Sequence, residues 1–551
     1  MIVEMTHLDV LCLAKDKQAA VEALRDMGVV HIEFRPAEGV AVKNAKGELA
    51  SAETAVRAIL KARGSKKPDS STVAGVHEVL DMQKRLEDDT AALEDVRREV
   101  AEYAPYGDFD PALAKKLLDM GIELDKVADI PAVLPRKRLS ALKYDLAALE
   151  ASIEKSKGKI ASCDEKAILS AYPGLADKIA FESAVESMRE HGEIAVLSGW
   201  VPTKAGEKVR KSAEARGLGV FLRKPEDGEC PPTLVEPPRF FKPMKSLFAG
   251  LGVSPAYTES DVSVPFMCYF TLFFAMLVGD GGYGALMFIL TLWGWKKFRA
   301  NPVARPWLVL MTVFSSATVA WGLLSNTWFG AAIPCCASWP TVKWLGDPSY
   351  RTMMFLCFTI GASHLILARL WNALSMANSI TALGQIGWAG VLLCMYWTTC
   401  GIVGIFQGPM PPWFYPVFAV SIAMVFLFSV PFRELKTRGA ELGMLPLNIM
   451  SALGDIISYV RLFAVGLASV QVAVNFNNMA FGLISPENAL WKNALLSAGT
   501  VLILLVGHGL NFAMAGLSVL VHAVRLNTLE FSNHKGVSWS GYSFKAFEKN
   551  K

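Results

Sequence analysis

No Gly-x-x-x-x-Gly-Lys-Ser/Thr loop occurs in the 551 residues, and Gly158-Lys159 lacks the glycine-rich turn that cradles phosphate. The chain is therefore not expected to hydrolyse ATP itself. It has no dense block of Lys and Arg, which argues against nucleic acid as a partner. Its nine cysteines show no metal-ligand spacing, so neither a metal nor a cofactor is expected. Cys268, Cys357, Cys394 and Cys400 lie in apolar runs, where cysteine acts as a small hydrophobe. The adjacent Cys335 and Cys336 lack the C-x-x-C spacing of a redox pair. Met1 to Cys12 carries acidic residues and no long apolar core, so no secretory signal is expected and the soluble part should stay in the cytosol.

Charge is scarce in one half only. Residues 1 to 245 hold 38 Lys/Arg and 41 Asp/Glu, whereas residues 246 to 551 hold 17 and 10. This division predicts a cytosolic arm over 1-245 and a membrane domain over 246-551. In the arm, Thr6 to Cys12, Lys17 to Met27 and Val29 to Phe34 read as strand, helix and strand, giving an α/β lobe over about 1-50. A second lobe is expected over about 190-230, around the turn Gly199-Trp200-Val201-Pro202. Between them, Val79, Leu86, Leu93 and Val100 recur every seven residues, as do Leu139, Leu146, Ile153 and Ile160. The two runs fit an antiparallel coiled-coil hairpin over about 75-165, or pairing of either run with another chain; Asp89 interrupts the first seam. Pro231 to Pro243 is the linker into the membrane.

Apolar segments follow at about 264 to 279, 282 to 298, 306 to 329, 352 to 374, 381 to 404, 413 to 431, 445 to 483 and 490 to 527. They predict an α-helical membrane protein with about eight transmembrane helices. The last two exceed the roughly 20 residues that cross a bilayer, so they should be strongly tilted or project beyond it. Lys296, Lys297, Arg299 and Arg305 lie in one connection, Arg433, Lys436 and Arg438 in another, and Lys535, Lys545, Lys549 and Lys551 in the tail. By the positive-inside rule both termini are cytoplasmic.

Arg461 lies deep inside the seventh apolar segment, where a guanidinium is rare and costly. At helical spacing Gly454, Ser458, Arg461, Val465, Ala468 and Asn475 share a side, a small-residue face that another helix can approach closely. In the last segment His508, Asn511, Ala515, Ser518, His522 and Arg525 are spaced three, four, three, four and three apart. That polar stripe should face protein or water; it reads either as an ion pathway or as packing between helices, with Arg525 a pathway residue or a positive flank. Asp280, in Gly279-Asp280-Gly281-Gly282-Tyr283-Gly284, either lines an aqueous access or caps the second helix. His364 reads as hydrogen-bonded packing, and Asp455 as a cytosolic access residue or a buried partner of another helix.

These motifs resemble a known family. Gly279 to Gly284, Trp328-Phe329-Gly330, Ser458-Tyr459-Val460-Arg461-Leu462 and His522-Ala523-Val524-Arg525-Leu526 are similar to the membrane stator subunit of rotary V-type and A-type ATPases, called subunit a or subunit I. In the arm, Gly28-Val29-Val30-His31-Ile32, Gly199 to Pro202 and Pro231-Pro232-Thr233 are similar too. The resemblance implies ion half-channels beside a rotating proteolipid ring whose carboxylates pair in turn with Arg461, with Arg525 as the family's second arginine. It also implies a peripheral stalk of E/G-type subunits, a central stalk and a soluble ATPase head as partners, and a bacterial or archaeal plasma membrane. Relatives in eukaryotic vacuoles have histidine where Ser469 stands and glutamate where Ala515 stands, so their outer relay does not transfer; His508 or Asp280 is the substitute expected here. The rival class is a self-contained secondary transporter binding an anionic substrate at Arg461 and Arg525, against which stands the lack of a repeated Arg-bearing pair in the first six segments.

Overall fold

The computed structural model describes residues 1–34, 39–64, 74–120, 137–226, 228–334, 338–346, 349–430, 440–484 and 490–549. Cys335, Cys336 and the basic connection with Arg433, Lys436 and Arg438 lie outside them. The chain divides into two compact units, Met5–Asp227 with Lys545–Lys551, and Met1–Glu4 with Gly228–Phe544.

The first unit contains β1 (Met5–Leu13), α1 (Lys17–Met27), β2 (His31–Ile32), α2 (Val40–Arg63), α3 (Val76–Tyr103), α4 (Pro111–Asp119), α5 (Leu139–Ala161), α6 (Glu165–Glu186), β3 (Arg189–His191), β4 (Ile194–Pro202), α7 (Thr203–Glu214) and β5 (Gly219–Arg223). Its strands form one antiparallel sheet in the order β2-β4-β1-β5, with β3 also on β4. Strands from about 1-50 and about 190-230 thus share one sheet. β1 and β4 pair along their whole length, from Met5 opposite Pro202 to Leu13 opposite Ile194, and neither could satisfy its backbone groups alone. Alternate residues of both strands, Leu8, Val10, Ala195 and Leu197, enter a core with Leu24 of α1 and Val209 of α7.

α3 and α5 run antiparallel: Val79 clusters with Ile160 at one end, and Tyr103 with Leu139 and Leu142 at the other. Asp89, the residue that interrupts the heptad seam, accepts a hydrogen bond from Ser152 Oγ at 2.9 Å, so the break is a paired polar contact across the two helices. α2 and α6 escape the heptad reading. They add Ala55, Ile59 and Ile168 to the Val79 cluster.

The second unit contains α8 (Met244–Leu251), α9 (Ser263–Val278), α10 (Gly281–Phe298), α11 (Ala304–Ser325), α12 (Pro340–Leu345), α13 (Arg351–Ser375), α14 (Thr381–Ile402), α15 (Phe414–Phe428), α16 (Leu445–Ile457), α17 (Val460–Phe481) and α18 (Leu490–Ser518). After α18 the chain continues through two π-helical turns, Val519–Ala523 and Leu526–Phe531, into a last helical turn, Ser532–Lys535. Among the described residues four stretches are long and apolar enough to cross a membrane: Ala304–Ser325, Arg351–Ser375, Leu445–Phe481 and Leu496–Lys535. A fifth arises if α9 and α10 count as one span, although the chain bends by 120° between them. The bend occurs at Gly279, whose φ of 69° is a left-handed conformation that glycine adopts without strain.

α9 is the axis of this unit. Eleven of its 16 residues are buried, as expected for a helix that is apolar all round and enclosed by other helices. Phe270, Phe273 and Leu277 pack in one core with Phe314 of α11, Phe358 of α13, Leu392 of α14, Tyr459 and Leu462 beside and on α17, and Val519 of the first π turn. α10 crosses α11 where Gly281 meets Gly322; a Cβ on Gly322 would lie 2.2 Å from the Gly281 Cα. The arrangement leaves a polar loop, Asn326 to Ala331, against the α9–α10 bend.

Candidate functional site

Arg461 stands at the break between α16 and α17, where Ser458 and Tyr459 leave the regular helix and Leu462 N–H bonds the carbonyl three residues back, at Tyr459. Its Nε donates to the Ser458 carbonyl at 2.9 Å, and its Nη2 donates to Glu530 Oε1 at 2.5 Å. Arg525 Nε lies 3.4 Å from the same oxygen. Glu530 is 4% exposed, and its second oxygen, Oε2, is buried with no hydrogen-bond partner among the described residues. Ser458 Oγ donates to the Asp455 carbonyl at 2.7 Å and lies 3.5 Å from Glu530 Oε1.

Glu530 was not singled out from the sequence. It lies five positions beyond Arg525, a spacing that turns away from the α-helical stripe and returns to it only in the wider π turn Leu526–Phe531. The available signal was scarcity, since Glu530 is one of only 10 acidic residues after position 245. His522 is partly buried in the preceding π turn, with Nδ1 buried and without a hydrogen-bond partner among the described residues. Ser518 is partly buried where that turn begins.

Asp455 pairs with His534 Nε2 at 2.9 Å. From there a partly buried network runs through His534 Nδ1, which accepts from Arg369 Nε at 3.1 Å, to Gln385 Oε1 at 3.2 Å from Arg369 Nη1. Asp455 thus has a partner on another element while its side chain keeps 30% exposure.

A second polar cluster lies farther along α17 and α18. Asn511 Nδ2 donates to the Ser469 carbonyl at 2.8 Å and to Tyr283 Oη at 3.0 Å, and its Oδ1 accepts from Ser469 Oγ at 3.3 Å. His508 bridges Tyr283 Oη through Nδ1 at 2.8 Å and Asn477 Oδ1 through Nε2 at 3.0 Å. Asp280 caps α10: Oδ1 accepts from Gly282 and Phe329 N–H and Oδ2 from Gly330 N–H, at 2.7 to 2.8 Å, and the residue is fully buried. It ties the α9–α10 bend to the Trp328-Phe329-Gly330 loop. His364 is also fully buried, stacked on Tyr269 and Phe531 with Nδ1 2.8 Å from Tyr459 Oη.

Ser469 stands eight residues past Arg461, about 12 Å along the helix axis at the usual rise. Between the two clusters Leu462, Ala515 and Val519 are buried and apolar. Along the predicted stripe Asn511 and Ala515 are buried, His508, Ser518 and His522 partly buried and Arg525 exposed, whereas Leu510, Met514, Leu517 and Leu520 are exposed on the opposite side, a surface suited to lipid. The uncovered face of α17 has another character. It carries Ala464, Ala468, Gln471, Asn475 and Asn478, small or amide side chains in a segment otherwise long and apolar enough for the bilayer. Among the described residues no group of His, Cys, Asp and Glu could hold a metal ion.

No family model matches the chain. Over 392 residues it is 31% identical to a V-type ATP synthase subunit I of Borreliella burgdorferi, covering 68% of this chain and 63% of that protein. It is 27% identical over 631 aligned positions to the V-type ATP synthase subunit I 1 of Treponema pallidum, with all of both chains covered. A third relative, the A-type ATP synthase subunit I of Methanocaldococcus jannaschii, is 25% identical over 466 residues, 76% of this chain and 64% of that one. The match therefore spans less than two thirds of the Borreliella and Methanocaldococcus proteins and the full length of the Treponema one.

Proposed function

We propose a function from the premise that this chain belongs with the V-type and A-type ATP synthase subunit I proteins. It is a membrane-embedded, non-catalytic subunit of a rotary ATPase. Within that frame, the second unit provides two ion half-channels beside a ring of small proteolipids. The observation that carries this reading is the uncovered face of α17. Amide side chains facing hydrocarbon are costly, so Gln471, Asn475 and Asn478, with small Ala464 and Ala468, call for a close-packed protein partner there. Arg461, one fifth exposed, stands on the same helix.

Each ring subunit then brings a carboxylate past Arg461. An opposite charge within about 4–6 Å lowers a carboxylate pKa by about 1–3 units, which expels the bound proton, or displaces a sodium ion, on one side of the arginine. The Tyr283, His508, Asn511 and Ser469 cluster serves the outer half-channel. Asp455, Ser458, Ser518 and His522 serve the cytosolic one, and the apolar step between the clusters blocks a direct leak. The reading has eight spans with both termini cytoplasmic and the first unit in the cytosol, where its α3–α5 hairpin and sheet anchor the peripheral stalk against torque. Purification in mild detergent tests the assignment: proteolipids and ATPase subunits should accompany this chain, and a lone, substrate-binding chain would favour a transporter.

A further inference from the structure

A permanently charged arginine inside a membrane needs an opposite charge nearby at every stage of a transport cycle, because a lone guanidinium is poorly solvated there. On the reading above, ring carboxylates reach Arg461 only intermittently. Between visits the charge requires another partner, and the geometry supplies one within this chain.

Five observations bear on it. Arg461 is anchored at Nε by the Ser458 carbonyl, which leaves its terminal nitrogens to change partners without moving the helix. Nη2 is on Glu530 Oε1. Arg525, whose side chain is 56% exposed, already lies within 3.4 Å of that oxygen. Glu530 Oε2 is buried and accepts no hydrogen bond among the described residues, which leaves an acceptor in reserve. The π turn that carries Glu530 is the element that aims it at both arginines, and such turns in longer helices often occur at functional positions.

We propose that Glu530 is the resident counter-ion of Arg461, exchanged against each arriving ring carboxylate. This inference rests on the assignment of Arg461 as the ring-facing arginine. When the ring carboxylate pairs with Arg461, the guanidinium leaves Glu530, and Arg525 closes on the released carboxylate through Oε1 and Oε2. When the ring moves on, Arg461 returns to Glu530. Two arginines thus share two carboxylates during a visit and one between visits, and neither Arg461 nor Glu530 is ever left without an opposite charge. Glu530 acts through Arg461 as a positioning residue. Its effect is to make release of the ring carboxylate easy.

The test uses the assembled complex in vesicles, scored per assembled complex. Glu530→Gln keeps the shape but removes the charge, so the ring carboxylate should be held too long: ATP hydrolysis and ion uptake should fall together by tenfold or more, with ions moved per ATP unchanged. Glu530→Asp should recover a large part of the rate. Wild-type turnover in Glu530→Gln would overturn the proposal, as would an aspartate variant no better than the glutamine one. If the glutamine variant does not assemble, structures of the wild-type complex in its rotary positions decide the matter. Arg461 should be within about 4 Å of either Glu530 or a ring carboxylate, never both and never neither; lasting contact with Glu530 while a ring carboxylate is also paired would overturn it. Failure of the half-channel reading looks different, since then Arg461→Ala would leave pumping intact.

Discussion

Arg461 and Arg525 reach for the same carboxylate oxygen, Oε1 of Glu530, at 2.5 and 3.4 Å from different segments of the chain. The arrangement uses the guanidinium as a fork, with Nε of Arg461 on a carbonyl and Nη2 on the carboxylate. A lysine carries the charge without the fork. Arg461→Lys should therefore retain less than about a tenth of coupled transport while assembling normally, measured as ion uptake per assembled complex; near-normal uptake would mean that charge alone suffices.

Cysteine accessibility separates the faces of the two long helices. In a cysteine-free background, a substitution at 515 should stay closed to charged thiol reagents because that side chain is buried in the apolar step between the two clusters. Position 522, partly buried next to Arg461, should react from the cytosolic side. Positions 468 and 471 should react in the chain alone and be shielded once the ring is present. Equal labelling of 468 and 471 with and without the ring would remove the proposed interface.

The contact of Gly281 with Gly322 leaves no room for a methyl group. Gly322→Ala must push α10 from α11 and disturb the Asp280 clamp beside it. Overpacking of this kind costs about 1–3 kcal/mol. The expected result is a lower unfolding midpoint for the purified protein; an unchanged midpoint would show that the two helices separate without cost.

In the first unit, burial pushes the pKa of His31 below its ordinary value, partly offset by its hydrogen bond to the backbone of Lys545. The ring is therefore neutral in the fold and takes up a proton more readily when unfolded. Its contribution to stability is complete above the unfolded pKa, about 6.5, and is lost as pH falls from there through the lower folded value. The tail beside it is held by Phe547, which is buried in the sheet core and donates its N–H to the Val30 carbonyl at 2.8 Å. Hydrogen exchange in the full chain should show residues 545–549 losing protection as pH falls below about 6.5, and His31→Gln should flatten that dependence. Equal pH sensitivity in the variant would assign the effect elsewhere.

What could be read in advance followed from regular spacing. The heptads of α3 and α5 and the three-four stripe of α18 are periodic, and periodicity is visible in a sequence. The single sheet was not legible, because the pairing of β1 with β4 joins residues almost two hundred positions apart and no local pattern encodes it. Glu530 was hidden for a different reason: the α-helical period places it off the stripe, and only the π turn brings it to Arg461. Asp280 was seen as chemistry-bearing, yet its three backbone partners come from a bend and a loop whose meeting depends on the Gly281–Gly322 contact.

ATP-driven ion uptake by vesicles carrying the assembled Arg461→Ala complex tests the central claim most directly. The account predicts a complex that retains its ring and ATPase head and moves no ions against a gradient, because no other group on the uncovered face of α17 carries a positive charge to the ring. Uptake close to the wild-type rate would contradict it.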